Sequence, residues 1–395
     1  MNNESISLEN VHLKNSDLLA KKDKSTLTTI KIRNSSFELL RIILMIFIIL
    51  SHIMYHTKSI PKLSSKNYRI LINNKYIFLR IISNYGKFGD IIFIMISGFF
   101  SIKRTTFHYV KFILIATQTY TYHYLLLFIS NKLKILFKDV KLITPKKGAM
   151  FFPLISINGH WFSQNYLLIL IFMPYINTGL LNLSYQQYKI LVILIIAFYC
   201  VIKGIISIYQ ISNDIFSVNQ SYKSLNELLP YIIGGFIRLF DLKFKSFWKY
   251  SGIIFFILTI AMEVIFDKLA LYFKNYLCIV YQSQLSLQLY SIFPIISSMG
   301  IVYIFKNIVI YNKYINFISS SVLGIYLIHA NKNIAPFIYN AIYTTNDYTK
   351  KYFFLKYFIK AFIIFIISLL IDIIRRFTIG SFVENILKKI NDKKI

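Results

Sequence analysis

Stretches of mainly apolar sequence up to about 20 residues long recur along this chain, and about 20 helical residues are what a hydrocarbon core of about 30 Å requires. They fall at residues 37–56, 88–102, 110–129, 161–180, 190–209, 225–240, 247–266, 285–305, 315–334 and 353–374. Runs such as Ile42 to Leu50 and Phe362 to Ile371 contain no charge at all. The strand-like alternation of an outer-membrane barrel is absent. Backbone N–H and C=O groups in lipid must be satisfied within the segment, so helices are the solution left. An all-α integral membrane protein is expected, a bundle of about ten transmembrane helices. With 56% hydrophobic and 15% charged residues, a water-soluble globule is excluded.

The formal charge is +29, from 45 Lys+Arg against 16 Asp+Glu. These cations are scattered through loops and tails between the apolar stretches, where membrane lipid head groups are the natural counter-charge and nucleic acid is not. Cys200 and Cys278 give neither a disulfide framework nor a ligand spacing, and no metal is expected. The first 36 residues are polar, with no apolar core of a cleavable leader, so the first span is expected to serve as its own insertion signal. An even number of spans returns the chain to its starting side. The basic tails, Lys21-Lys22-Asp23-Lys24 at one end and Lys388-Lys389 at the other, place both termini in the cytoplasm. The loops at 58–87 and 132–147 would then lie outside and are equally basic, so this orientation rests on helix count and tails. Residues 68–83 alternate apolar and basic positions in the manner of an interfacial helix.

Within the first span lie Arg41 and His52, separated by ten residues that are apolar except Ser51. Ionisable groups at such depth are costly and point to function. Eleven steps of about 1.5 Å and about 100° separate them by about 16 Å and return them to within about 20° of one another. One helix face thus carries a cation near a membrane surface and an imidazole deep inside. A snorkelling anchor and a hydrogen-bonded core histidine are the plainer account of the same pair. Glu227 and Arg238 repeat the spacing, but at opposite ends of their span, and read as interfacial. Tyr326 and His329 are three apart and share a helix face, where they would either complete a pocket opposite His52 or form a hydrogen-bonded packing pair. Ser97-Gly98 reads as a close-approach surface between helices. The polar run from Gln118 to His123 is a candidate cavity lining.

Four segments taken in order resemble the membrane-bound acyltransferase 3 family. Asn34 to Arg41 leading to His52 is similar to its first helix, and Gly86-Lys87-Phe88-Gly89 leading to Ser97-Gly98 to its second. His160-Trp161-Phe162 with Pro174 is similar to its later Trp-Phe entry, and Leu323-Gly324-Ile325-Tyr326-Leu327-Ile328-His329 to its penultimate helix. The resemblance covers nearly the whole chain: a basic cytoplasmic tail at 1–36, an acyltransferase 3-like transmembrane domain at 37–374 and a second basic tail at 375–395. Asp90 departs from the family pattern, which is apolar there, and the family's basic pair between helices 2 and 3 is met only loosely by Lys103, Arg104 and Lys111.

The resemblance implies an O-acyltransferase of the bacterial plasma membrane. Its acyl group, most often acetyl, would come from cytoplasmic acetyl-CoA and pass to a hydroxyl of a cell-surface or lipid-linked saccharide. A sugar hydroxyl needs a base that titrates near neutral pH, and His52 is the candidate. Arg41 is the candidate for a CoA phosphate, since its guanidinium forks onto phosphate oxygens and keeps its charge. Arg238, Lys103 and Arg104 are further phosphate candidates, each with lipid anchoring as the alternative. Tyr326 and His329 would complete the substrate pocket, and Trp161 would either stack on the acceptor or anchor the interface. Two other classes of function remain open. A transporter or flippase of lipid-linked oligosaccharides would show internal repeats, and a glycan polymerase would carry a large external loop; neither is seen.

Overall fold

The computed structural model describes residues 34–57, 74–136, 161–198, 227–240, 246–274, 292–342 and 351–392. Met1–Asn34 and Ser35–Ile395 are two units, and all the described helices belong to the second. Every regular element among the described residues is helical. In chain order they are α1 Ser36–Thr57, α2 Asn74–Ser101, α3 Tyr109–Leu136, α4 Trp161–Leu181, α5 Tyr185–Ile196, α6 Leu228–Leu239 and α7 Ser246–Tyr272. Next come α8 Ile292–Asn307, α9 Lys313–Ser319, α10 Val322–His329, α11 Ala335–Ile342, α12 Phe353–Arg375, a π-helical turn Arg376–Gly380, and α13 Ser381–Asp392. Ser36–Met54, Tyr109–Leu133 and Phe353–Leu387 are long and apolar enough to cross a membrane, and Phe88–Ser101, Tyr185–Ile196, Leu228–Leu239 and Ile292–Asn307 are shorter apolar helices.

The outward face of α12 shows which solvent these helices meet. Phe353, Tyr357, Ala361, Ile364, Phe365, Ser368, Leu369 and Asp372 are buried at intervals of three and four. The opposite face is exposed, and from Phe362 through Ile363, Ile366 and Ile367 to Leu370 it is apolar, with the exposed Lys356 confined to the start of the helix. Both faces of the helix are hydrophobic, as suits lipid on one side and protein on the other.

Helix α1 lies at the centre, against α2 and each helix from α8 to α12. Its N-terminal half, with Phe37, Leu40 and Leu44, shares a core with Ile92, Phe99 and Ile233. Its C-terminal half, with Met45, Ile49 and Ile53, shares another with Tyr326, Leu327 and Tyr357. Its first turn is pinned. Ser35 N donates to the Ile310 carbonyl at 2.6 Å, and Ser35 Oγ donates to the Asn312 carbonyl at 3.1 Å. Asn312 is itself the N-cap of α9, its side chain accepting from Tyr314 N and Ile315 N.

Glycines set the closest crossings. A Cβ at Gly98 would overlap the Tyr231 carbonyl oxygen, and one at Gly234 would overlap that of Met95, so α2 and α6 meet backbone to backbone. Of Ser97-Gly98, Gly98 is therefore the close-approach residue expected there, while Ser97 Oγ turns to the Phe93 carbonyl and to Tyr166 of α4. Gly252 and Gly300 form the same contact between α7 and α8.

Three expectations give way here. The interfacial helix at 68–83 and the span at 88–102 are one helix from Asn74, with residues 68–73 outside the described residues. Continuity is possible because Gly86 and Gly89 face α1 as a contact surface, where a Cβ at Gly86 would overlap Ser51 and one at Gly89 would stand 2.7 Å from Ile48 Cδ1. The span at 315–334 is broken into α9 and α10. Serine competes with the helical backbone, and Ser320 Oγ turns back to the Phe317 carbonyl at 2.6 Å. Beyond His329, the Asn331 side chain accepts from Asn333 N at 2.9 Å and turns the chain. Residues 375–395, expected as a tail, are helical as far as Asp392. The tail at 1–33, the loop at 58–73, the loop at 137–160 and the later part of the span at 190–209 lie outside the described residues.

Candidate functional site

Helix α1 carries both Arg41 and His52, and the rest of the site assembles around its length. At the cytoplasm-proximal end in the expected topology, Arg41 Nη1 contacts Glu38 Oε1 at 3.0 Å and Oε2 at 2.9 Å. Glu38 is almost fully buried and also accepts from Ser319 Oγ of α9. One nitrogen straddling a carboxylate leaves the Nε and Nη2 edge of the guanidinium for another anion. A second cation stands close by. Lys111 Nζ of α3 donates to Tyr166 Oη of α4 at 2.6 Å and lies 5.1 Å from that ring's centroid. Ser97 Oγ of α2 reaches the same phenol at 3.4 Å, and the Arg41 charge acts on it too.

From Tyr166 a line of rings leads to the imidazole. Tyr166 and Phe162 stack with centroids 6.3 Å apart and planes at 2°. Phe162 meets Tyr326 edge-on at 5.5 Å. Tyr326 is 6.5 Å from His52, and His329 is 5.1 Å from His52 and 6.0 Å from Tyr326. All distances are between ring centroids, and Tyr326 and His329 are buried. His329 Nδ1 lies 2.6 Å from the Ile325 carbonyl, which can only accept, so Nδ1 carries the hydrogen. The neutral ring then presents Nε2 as an acceptor. Two imidazoles and a phenol thus share one spot, with His52 half-buried and the other two buried, at the far end of an aromatic line from two cations.

Of the residues singled out in the sequence, Tyr326 and His329 are brought to His52. Trp161, at the first position of α4, is one ring removed, its centroid 6.0 Å from Phe162. Arg238 is exposed and lies over Phe99, 5.1 Å from that centroid, which in turn packs on Phe37 at 5.2 Å. These two rings link it to the first turn of α1, ahead of Arg41. Lys103 and Arg104 are exposed in the turn after α2. What holds that turn is its backbone, since Asn177 Nδ2 donates to the Ser101 and Arg104 carbonyls at 2.7 Å each. An open groove of about 520 Å³, lined by Thr105, Phe107, Ile171, Pro174, Tyr175 and Thr178, adjoins this turn and not His52.

A model of the family described as an acyltransferase domain, that of acyltransferase 3, matches residues 34–373. The chain belongs to the acyltransferase 3 family. It is a membrane protein that carries an acyltransferase domain over almost its whole length. Neither a curated protein nor a solved structure matches it.

Several functional candidates in this acyltransferase 3 protein go beyond those singled out in the sequence. Glu38, three residues before Arg41, was legible as an i, i+3 partner. The Lys111–Tyr166–Ser97 group joins three helices, and no spacing along the chain announces it. Glu227 is a correction: it is not interfacial but 1% exposed, and its Oε1 accepts from Asn165 Nδ2 at 2.7 Å. Asn165 sits one turn beyond Trp161 and Phe162, so this carboxylate fastens the ring-bearing start of α4 to α6. Of the polar run in α3, Gln118 and Tyr122 turn to Asp372 of α12.

Proposed function

We propose that this acyltransferase 3 protein is an O-acetyltransferase that moves an acetyl group from cytoplasmic acetyl-CoA to a hydroxyl of a cell-surface or lipid-linked saccharide. The observation that carries this reading is the arrangement along α1: a guanidinium at one end, imidazoles about 16 Å further in, and Tyr166, Phe162 and Tyr326 between them. A phosphate held at Arg41 and Lys111 would leave the pantetheine arm to run along these rings and bring the thioester to His52. His52 takes the proton of the acceptor hydroxyl as its oxygen attacks the thioester carbonyl carbon. The new C–O ester bond forms, the C–S bond breaks, and the proton passes to the departing thiolate, giving CoA with a free thiol. His329 and Tyr326 line the same spot. Arg238, Lys103 and Arg104 are reserve contacts for the donor's outer phosphates, and Trp161 for the acceptor.

The test is binding and transfer by the purified protein in lipid nanodiscs with radiolabelled acetyl-CoA, joined to mass analysis of surface glycans with and without the gene. Arg41→Lys is the informative variant. It keeps a cation opposite buried Glu38, whereas Arg41→Ala would strand that carboxylate. Lysine lacks the fork, so acetyl-CoA is expected to bind about tenfold more weakly, the equivalent of about 1.4 kcal/mol. Unchanged binding would remove Arg41 from the donor site.

The orientation follows from the same reading, in which about ten spans leave both termini in the cytoplasm. Reporters fused at Ser5 and after Ile395 are expected to be cytoplasmic, and one in the 132–147 loop external. An external amino terminus would put Arg41 on the side where no acyl-CoA is made, and the donor route would fail.

A further inference from the structure

Helix α10 delivers Tyr326 and His329 to His52, and it is short, at eight residues, and broken from α9 by the serine turn. Something outside it must fix its place. Its glycine faces α12: a Cβ at Gly324 would overlap Asp372 Oδ1 and Cγ and stand 2.9 Å from Asp372 Cβ. Asp372 is fully buried. Its Oδ1 accepts from Tyr122 Oη at 2.6 Å and Gln118 Nε2 at 3.3 Å, both on α3, and from Arg375 Nε at 2.8 Å. The Arg375 guanidinium lies over the Tyr122 ring at 5.8 Å, and Arg376 Nη1 donates to Ser321 Oγ at 3.1 Å, just before α10 begins. A carboxylate bonded on three sides and seated on bare backbone is a rigid stop.

We propose that Asp372, resting on Gly324, is a positioning residue. It sets the height and rotation of α10, and thereby the placement of Tyr326 and His329 opposite His52. The bonds of Asp372 go to Gln118, Tyr122 and Arg375 and not to Arg41 or Lys111, so the pair is expected to act on the reaction and not on donor binding. Rotation of the Asp372 carboxyl cannot relieve a side chain at Gly324, because the Asp372 Cβ is fixed to its own helix.

Two arms test this. The first does not depend on the acetyl-transfer reading. In a background with Cys200 and Cys278 changed to Ser, His52→Cys and His329→Cys are combined, and a short bifunctional thiol reagent is used to join α1 and α10. Cross-linking is expected to be efficient in this parent, to fall at least about tenfold on adding Gly324→Ala, and to change less than about twofold when Gly324→Ala is added to Asp372→Gly. An equal loss in both backgrounds, or no loss in either, overturns the steric coupling. The second arm rests on the acetyl-transfer reading and uses the isosteric Asp372→Asn, which keeps the shape against Gly324 and weakens the bonds to Arg375 and Tyr122. Transfer is expected to fall about tenfold with acetyl-CoA affinity unchanged, since small misplacements of reacting groups are costly. Unchanged transfer, or a loss in donor affinity alone, overturns the role. If no variant transfers acetyl at all while the cross-linking pattern holds, the acetyl-transfer reading fails and the positioning of α10 stands.

Discussion

His52→Ala is expected to lower the acetyl-transfer rate by about 10²–10⁴, the usual cost of losing a general base. Insertion, yield and acetyl-CoA binding should be retained. His52 stands near the end of the apolar span Ser36–Met54, and its ring neighbours at the site are another imidazole and a phenol, so its removal is not expected to strand a charge there. The companion variant is His329→Gln. With Nδ1 committed to the Ile325 carbonyl, His329 has only Nε2 for the reaction, so its loss should be smaller, about tenfold, and felt in rate before affinity. Were His329→Gln the more damaging of the two, the proton acceptor would be His329, and α10 rather than α1 would carry the base. Radiolabel transfer under single-turnover conditions separates these cases from a slow product release.

The acid partners explain why cations can sit at this depth. Arg41 pairs with Glu38, and Arg375 with Asp372. In both the carboxylate is the more buried member and lies three residues before the arginine. Each pair also draws a hydroxyl from another helix, Ser319 to Glu38 and Tyr122 to Asp372. The pairs lower the cost of burying charge and tie helices together, while Arg41 keeps a guanidinium edge for a ligand.

How far the sequence discloses this arrangement depends on what each residue's partner is. Helices α1, α3, α4, α7 and α12 were legible from apolar length alone, to within a few residues except at the C-terminal end of α3 and the last turns of α7. The grouping of Tyr326 with His329 follows from their shared face. Glu227 was misplaced for a physical reason. A charge at the end of an apolar run reads as interfacial, but α6 has 12 residues and so rises only about 18 Å, well short of a hydrocarbon core of about 30 Å. With Arg238 exposed at one end, Glu227 at the other must finish inside the bundle. The break at residues 320–321 was hidden because hydropathy counts serine as merely neutral, although its hydroxyl competes for the helix's own carbonyls. Lys111, Tyr166 and Ser97 meet only through tertiary packing, and Asp372 is visible in sequence merely as one acid in an apolar helix.

The crossing of α2 and α6 carries the largest stability prediction. At Gly98 the group in the way is the Tyr231 backbone, and at Gly234 it is the Met95 backbone. No rotamer change can clear either one. A side chain at Gly98 must therefore push the two helices apart, and with them Phe99, Ile233 and Phe236 of the core they share. Overpacking of a core costs about 1–3 kcal/mol when side chains can shift. Backbone contact leaves no such freedom, so Gly98→Val is expected at or above the upper end, with a fall of about a hundredfold or more in the folded-to-unfolded ratio in a detergent titration. Gly179 in α4 provides the control, since nothing stands within 4 Å of a Cβ there. Gly179→Ala is expected to leave stability unchanged or to raise it by up to about 1 kcal/mol, the helix preference of alanine over glycine. If Gly98→Val and Gly179→Ala behave alike, α2 and α6 do not cross backbone to backbone. Glu227 would then have no reason to lie beside Asn165, and the site would lose the contact that fastens α4, with its rings, against α6.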